Sequence, residues 1–221
     1  MLNVTKFLIV FSCFVSSSAF AETIFPTNLR AAKVVGCIDT KDGVHCWGDF
    51  PAPLKREEIK KVAFSVVPFL DTDAANSNRG CAIKKDDSLT CFGGHNEFGQ
   101  NTVPDSVKNV LEVGVSNDLT CALMKDAVEC WKPQSAFPAP PEFKNPKQIF
   151  VSGQDACVID DNGIQCWGTG AVKNISAKAK LAKQFAFGEN HACALLQDST
   201  VECWGYGPQV PSNTKAKYVA V

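Results

Sequence analysis

Five copies of one pattern punctuate the chain. A cysteine opens a short apolar run, a polar turn follows, and a second run ends in cysteine and an aromatic residue. The copies are CIDTKDGVHCWG (Cys37 to Gly48), CAIKKDDSLTCFG (Cys81 to Gly93), CALMKDAVECWK (Cys121 to Lys132), CVIDDNGIQCWG (Cys157 to Gly168) and CALLQDSTVECWG (Cys193 to Gly205). Their first cysteines stand at 37, 81, 121, 157 and 193, so the steps are 44, 40, 36 and 36 residues. Self-similarity at such a period marks a solenoid or a propeller. Each copy reads as a hairpin, and no heptad or long amphipathic helix interrupts them. The expectation is an all-β chain, a β-propeller of about five small antiparallel blades.

A further apolar strand precedes the later copies: Lys61 to Val66, Val107 to Val115, Gln148 to Val151 and Gln184 to Phe187. Before Cys37 the segment ETIFPTNLRAAKVV has no clear period, whereas the chain ends on Lys217-Tyr218-Val219-Ala220-Val221 with no hairpin after it. The economical expectation is that Tyr218 to Val221 completes the first blade and closes the ring, which would also hide exposed edges. The stretch AVKNISAKAKLAK before Gln184 has room for a helical turn.

The opening residues carry one positive charge at Lys6, an apolar run from Phe7 to Val15 and the pattern Ala19-Phe20-Ala21. That is the layout of a signal peptide, residues 1–21, leaving a repeat domain at 22–221. The apolar run is too short to span a bilayer. A lipid anchor at Cys13 is the weaker alternative, because Phe11 fits a lipoprotein box poorly. The mature chain is expected in a periplasm, a secretory lumen or the medium, with no membrane insertion.

Of the eleven cysteines, ten remain after the signal. An oxidising destination makes disulfides the default. The expected pairs are Cys37 with Cys46, Cys81 with Cys91, Cys121 with Cys130, Cys157 with Cys166, and Cys193 with Cys203, each closing its own hairpin. Opposed residues of an antiparallel pair lie within disulfide reach. The spacings are too long for a zinc site, and the Cys-x-x-Cys of a redox dithiol does not occur. Trp47, Phe92, Trp131, Trp167 and Trp204 follow the second cysteine, the recurrence that packing between blades demands.

Lys plus Arg number 22 against 23 Asp plus Glu, so no overall field draws the chain to nucleic acid. No catalytic motif is found, and His45, His95 and His191 share no repeat position; the expectation is a protein that is not an enzyme and holds no cofactor or metal. The oxygen-rich loop Asp71-Thr72-Asp73 lacks the glycine and terminal glutamate of a calcium loop.

The order apolar strand, G-x-N-H-x-C-A-L, turn, V-x-C-W-G, seen in Gly188 to Gly205 (GENHACALLQDSTVECWG), resembles the repeat of the regulator of chromosome condensation family. GGHNEFGQ, Gly93 to Gln100, is similar to the stretch that follows it there. Secreted, cysteine-rich bacterial members are similar in layout. The resemblance implies a β-propeller whose loops bind other proteins, as an inhibitor or receptor-type interaction domain. Rings of that family usually have about seven blades, so five repeats imply a ring that is smaller, open, or completed by another chain. The expected contact residues are Phe69 and Asp71 in an inserted loop, Asn96 and Phe98 after the second hairpin, and Phe137 in a Pro-rich loop. The alternatives are a glycan-binding or adhesive surface and, more remotely, a hydrolase with its site in the channel.

Overall fold

The computed structural model describes residues 29–31, 35–40, 43–48, 56–65, 79–93, 96, 99–131, 137–188, 191–207, 210–211 and 213–219; before residue 57 it describes backbone alone. The expected signal peptide, Phe69, Asp71 and Phe98 lie outside the described residues.

Fifteen strands form five three-stranded antiparallel sheets among the described residues. The first contains β1 (Leu29–Ala31), β2 (Val35–Thr40) and β3 (Gly43–Gly48). The second contains β4 (Ile59–Phe64), β5 (Gly80–Lys84) and β6 (Leu89–Phe92). The third contains β7 (Glu112–Val115), β8 (Thr120–Leu123) and β9 (Val128–Trp131). The fourth contains β10 (Gln148–Ser152), β11 (Asp155–Asp160) and β12 (Gly163–Gly168). The fifth contains β13 (Gln184–Phe187), β14 (His191–Leu195) and β15 (Val201–Gly205). Within each sheet the strands pair in chain order, the middle strand between its neighbours.

The middle strands explain the repeat. β5, β8, β11 and β14 are covered on both faces, and β8 is buried at all four positions, so they read as short continuous apolar runs. In every sheet the two cysteines face each other in register, Cys37 opposite Cys46 included. Four pairs are disulfides, Cys81–Cys91, Cys121–Cys130, Cys157–Cys166 and Cys193–Cys203, each with Cα atoms 4.0 Å apart. The residue before the first cysteine lies opposite the aromatic: Gly80 faces Phe92, Thr120 Trp131, Ala156 Trp167 and Ala192 Trp204. It must be small, because a Cβ on Gly80 would come within 2.8 Å of both the Phe92 and the Phe64 rings.

Each of the second to fifth sheets therefore has a disulfide face and an aromatic face, and the cores lie where unlike faces meet. Cys81, Ile83 and Leu89 of the second sheet pack with Val113, Ala122 and Trp131 of the third. Leu119, Cys121 and Leu123 of the third pack with Ala156, Val158 and Trp167 of the fourth. Cys157, Ile164 and Cys166 of the fourth pack with Phe185, Ala192 and Trp204 of the fifth. Trp131, Trp167 and Trp204 pack between sheets, as their recurrence requires, whereas Phe92 meets Phe64 of its own sheet and the Trp47 side chain lies outside the described residues.

Two expectations are corrected. The C-terminal segment does not complete the first sheet, because β1 fills that place, with Arg30 opposite Cys37. Instead the backbone of Val219 is held at both its N–H and C=O by the Gln184 side chain, and Lys215 bridges to Thr200, so the segment lies on the fifth sheet. Three residues with a central arginine are too short to show a period, which is why the sequence hid β1. The run expected as a strand from Val107 is ladder only from Glu112. Val107 and Val110 are buried in a loop, their apolar character spent on the core between the second and third sheets. The turn in AVKNISAKAKLAK is present as one 3₁₀ turn, Ala179–Leu181.

The hairpin turns are held by carboxylates. Asp86 accepts from the Ser88 hydroxyl and N–H, and Asp198 accepts likewise from Thr200. These bonds hold both carboxyls below the ordinary carboxylate range. A depressed carboxyl contributes stability above its unfolded pKa and loses it as pH falls through its folded value. The double variant Asp86→Asn, Asp198→Asn is accordingly expected to be less stable at neutral pH and to lose less on acidification below about pH 4, as read by denaturant midpoints at several pH values.

The shared register leads us to expect a bridge in the first hairpin as well. Denatured but unreduced protein lacking residues 1–21 should take up no iodoacetamide, and ten adducts should appear after reduction. Two adducts before reduction would show Cys37 and Cys46 unbridged.

Candidate functional site

The first strands of the sheets stand beside one another, β1 by β4, β4 by β7, β7 by β10 and β10 by β13. The close approach is visible at Gly114, where a Cβ would lie 2.6 Å from a Val151 methyl. Residues of β4, β7, β10 and β13 line a central cavity of about 320 Å³. One part is aromatic: Phe150 stacks on Phe187 at 4.5 Å between ring centroids, and Phe64 lies on the same lining. At another, Lys61 is ion-paired with Glu112. The serines ending successive inner strands bond forward to the next turn, Ser116 Oγ to the Gly153 carbonyl at 2.7 Å and Ser152 Oγ to the Gly188 carbonyl at 2.6 Å. These hydroxyls act as donors to backbone, not as nucleophiles beside a base. Among the described residues, no group of three or more His, Cys, Asp and Glu is placed to hold a metal ion.

The other concentration of polar chemistry is the end of the molecule where inner strands turn into middle strands and third strands leave. Its organiser is Arg79, 3% exposed. Nε donates to Asn101 Oδ1 at 3.0 Å, one terminal nitrogen to the carbonyls of Ser116 and Asn117, and the other to the Gln100 carbonyl at 2.9 Å and Thr120 Oγ1 at 2.8 Å. All five N–H positions of the guanidinium are thus used. Burial pulls its pKa down to about 10, and the nearby Asp118 carboxylate opposes that shift. One side chain therefore ties the loop after the second sheet to the first turn of the third. Trp131 Nε1 adds a bond to the same Gln100 carbonyl at 3.1 Å.

Asp155 occupies the position of Arg79 in the fourth repeat and does a similar task. It is 1% exposed and accepts from the N–H groups of Gly170 at 2.7 Å and Lys173 at 2.9 Å. The exit needs glycine at 168, with φ of 141° and an added Cβ only 2.4 Å from Asp155 Oδ1. In the fifth repeat the corresponding residue is His191, whose ring packs so closely on Gly207 that a Cβ there would sit at 2.8 Å. Sequence reading missed this role for Arg79 and Asp155. The position two before the first cysteine holds Val35, Arg79, Leu119, Asp155 and His191, so no repeated letter signals it.

The expected contact residues come from segments that leave the sheets at this end. Asn96 is exposed and accepts from the Asn101 N–H at 2.8 Å, which fixes the 96–101 turn. Phe137 is half-buried against Trp167, with ring centroids 6.5 Å apart, so its ring serves the core between the third and fourth sheets. Ser65 and Arg79 mark where the inserted segment leaves and rejoins, Ser65 N–H bonding to the Arg79 carbonyl at 2.9 Å. Tyr206, which the sequence did not single out, follows Gly205 at the end of β15 and is 78% exposed.

The architecture is that of a β-propeller. No protein-family model matches the sequence, and comparison with curated proteins gives no match either. Solved structures do match. The CRINKLY WD40 ectodomain of the Arabidopsis thaliana receptor kinase ACR4 is similar at a TM-score of 0.57 and 20% identity, over 84% of this chain and 68% of that one. The ectodomain of the Physcomitrella patens receptor kinase CR4 gives 0.62 and 17%, over 87% and 55%. Prp20p of Saccharomyces cerevisiae, the yeast RCC1 protein, gives 0.57 and 14%, over 86% and 61%. The chain thus spans between 55% and 68% of the length of these propellers. The likeness to Prp20p agrees with the resemblance carried by Gly188 to Gly205, and at such identities it establishes the fold.

Replacing Arg79 tests the organisation of this end. Arg79→Met removes the donor to the Ser116 and Asn117 carbonyls, the Gln100 carbonyl keeping Trp131, and is expected to cost about 2–4 kcal/mol. Arg79→Lys should recover only part of that, since an ammonium lacks the planar fork. Denaturant midpoints under oxidising conditions, at unchanged slope, are the measurement.

Proposed function

We propose that the chain is an exported β-propeller that binds another protein through the end organised by Arg79, without catalysing a reaction. The observation that carries this reading is the contrast within that end. A buried and fully bonded scaffold presents exposed groups, Tyr206 foremost, on short anchored turns. Rigid display of an aromatic is what protein recognition uses, because little ordering entropy is lost on binding. The inserted segment between Ser65 and Arg79, which carries Phe69 and Asp71, belongs to the same surface in this reading, with Asn96 and Phe98 beside it.

Four disulfides fit an oxidising environment, and residues 1–21 serve as the export signal. No helix among the described residues is long and apolar enough to cross a membrane. Prp20p is described by its binding to Gsp1p and histones, and the yeast protein has been solved bound to Kap60. Those partners are theirs; what carries over is the use of a propeller for protein contacts, as an inhibitor or a receptor-type domain. The cavity supports a channel more than an active site, since the one lining carboxylate among the described residues, Glu112, is paired with Lys61.

The test is capture of partners from the envelope or secreted fraction on immobilised, oxidised protein lacking residues 1–21, with reduced protein as control. One protein retained by the oxidised form, and reduced about tenfold by Tyr206→Ala at an unchanged unfolding midpoint, is the expected result. Retention of no protein, together with binding on a glycan array, would replace this reading with a glycan-binding surface.

A further inference from the structure

A second surface lies at the opposite end of the fifth sheet, where its hairpin turns. Two stretches of the chain contain no acidic residue, 162–188 and 203–221, and their basic residues are all lysines. The fold brings these stretches together. Lys183 N–H bonds to the Leu195 carbonyl, Ala216 N–H to the Ser199 carbonyl at 2.9 Å, Lys215 bridges to Thr200, and Val219 is clasped by Gln184. Lys180, Lys183, Lys215 and Lys217 are all exposed there. Two neighbouring carboxylates are engaged, Asp198 with Lys178 at 3.7 Å and Asp161 with Lys147 at 2.8 Å, while Glu202 lies on β15, whose first residue bonds to the C-terminal segment. No ion pair among the described residues involves the four exposed lysines.

Two large apolar side chains stand among them, Leu181 at 63% exposure and Tyr218 at 56%. Leu181 is not on a loose tip. Its carbonyl accepts from Gln197 Nε2 at 2.8 Å, and the turn before it presses on Gly163, where a Cβ would lie 2.3 Å from the Lys180 carbonyl. Ala179 beneath it is fully buried. The corresponding turns of the second and third sheets differ. Lys60 pairs with Asp87 at 2.5 Å, and Lys125 is followed by Asp126. The chain as a whole is close to neutral, so positive charge is gathered at this corner rather than spread.

We propose that this corner is a second docking surface, and that its occupant is an acidic protein segment carrying one or two apolar side chains, held by the lysines around Leu181 and Tyr218. Charge complementarity selects the acidic class, and the pinned leucine selects a segment with an apolar residue over a purely anionic one. The surface is separate from the Tyr206 end, so it stands or falls independently of the function proposed above.

The probe is a fluorescein-labelled peptide of about ten residues with glutamates flanking a Leu-Phe pair, titrated against oxidised protein lacking residues 1–21. Saturable binding that weakens steeply as salt rises toward about 1 M is expected. Lys180→Glu with Lys183→Glu should weaken it by about tenfold or more, and Leu181→Ser by about fivefold. Lys125→Glu and Tyr206→Ala, the latter reporting on the other end, should leave it unchanged, and unfolding midpoints check that every variant folds. The proposal is overturned by absence of binding, by equal binding of polyglutamate, by equal loss with Lys125→Glu, or by preference for phosphatidylserine vesicles over the peptide. Capture through Tyr206 failing while this peptide binds would sink the first reading and leave this one standing.

Discussion

The structure depends on one contact repeated along the array, the disulfide face of one sheet laid against the aromatic face of the next. Each hairpin closes a loop of roughly ten residues, worth about 2–3 kcal/mol on the chain-entropy view, yet a single three-stranded sheet of this size has no core of its own. The sulfur pair and the aliphatic residues beside it are covered only when the neighbouring indole and its small cross-strand partner arrive. Cys121 and Leu123 are fully buried for that reason, with Ala156 and Trp167 supplied by the following sheet. Stability is thus a property of neighbouring pairs rather than of repeats.

That interlock assigns different freedoms to different positions. The two cysteines, the small residue before the first and the aromatic after the second all point into contacts between sheets and cannot vary much. The residue two before the first cysteine lies at the rim, where each loop has its own shape to fix. An arginine, an aspartate and a histidine therefore serve three repeats there. Trp131 and Trp204 extend the same logic, their indole N–H groups reaching the carbonyls of Gln100 and Val172 in the loop before their own sheet. The buried N–H of Trp167 has no acceptor among the described residues, and Phe137 and Phe143 pack against its ring. Each loop is thus tied to its scaffold by a different device.

Much of the fold was legible because its rules repeat. Spacing revealed the units, cysteine register followed from the hairpins, and aromatic recurrence foretold packing between sheets. What stayed hidden was whatever occurs once. Strand β1 is three residues around Arg30, too short for alternation to register. Val107 and Val110 look like strand because they are buried, although their backbone carries no ladder. Phe137 reads as a loop aromatic free for contact until Trp167 is placed beneath it. The candidate site was the less legible part for the same reason, since Arg79 sits at the end of a long polar stretch and only its five bonds show that it is scaffold.

The two ends of the molecule follow different physical logics, and the array explains how both can coexist. At the Arg79 end, polar groups are buried and bonded to backbone, so the described loops are held to the scaffold. At the hairpin end of the fifth sheet, charges are exposed and screened by solvent, which contributes little to folding but a good deal to the rate and selectivity of encounter. The contacts between sheets are made by side chains on the flat faces, whereas the exposed groups, Tyr206 at one end and Lys180, Lys183, Lys215 and Lys217 at the other, stand beyond the strand ends. A chain built this way can alter either end without disturbing the interlock. The same separation explains why a nearly neutral composition conceals a cationic corner: Lys180 and Lys183 are remote in sequence from Lys215 and Lys217, and the clasp of Val219 by Gln184 brings them together.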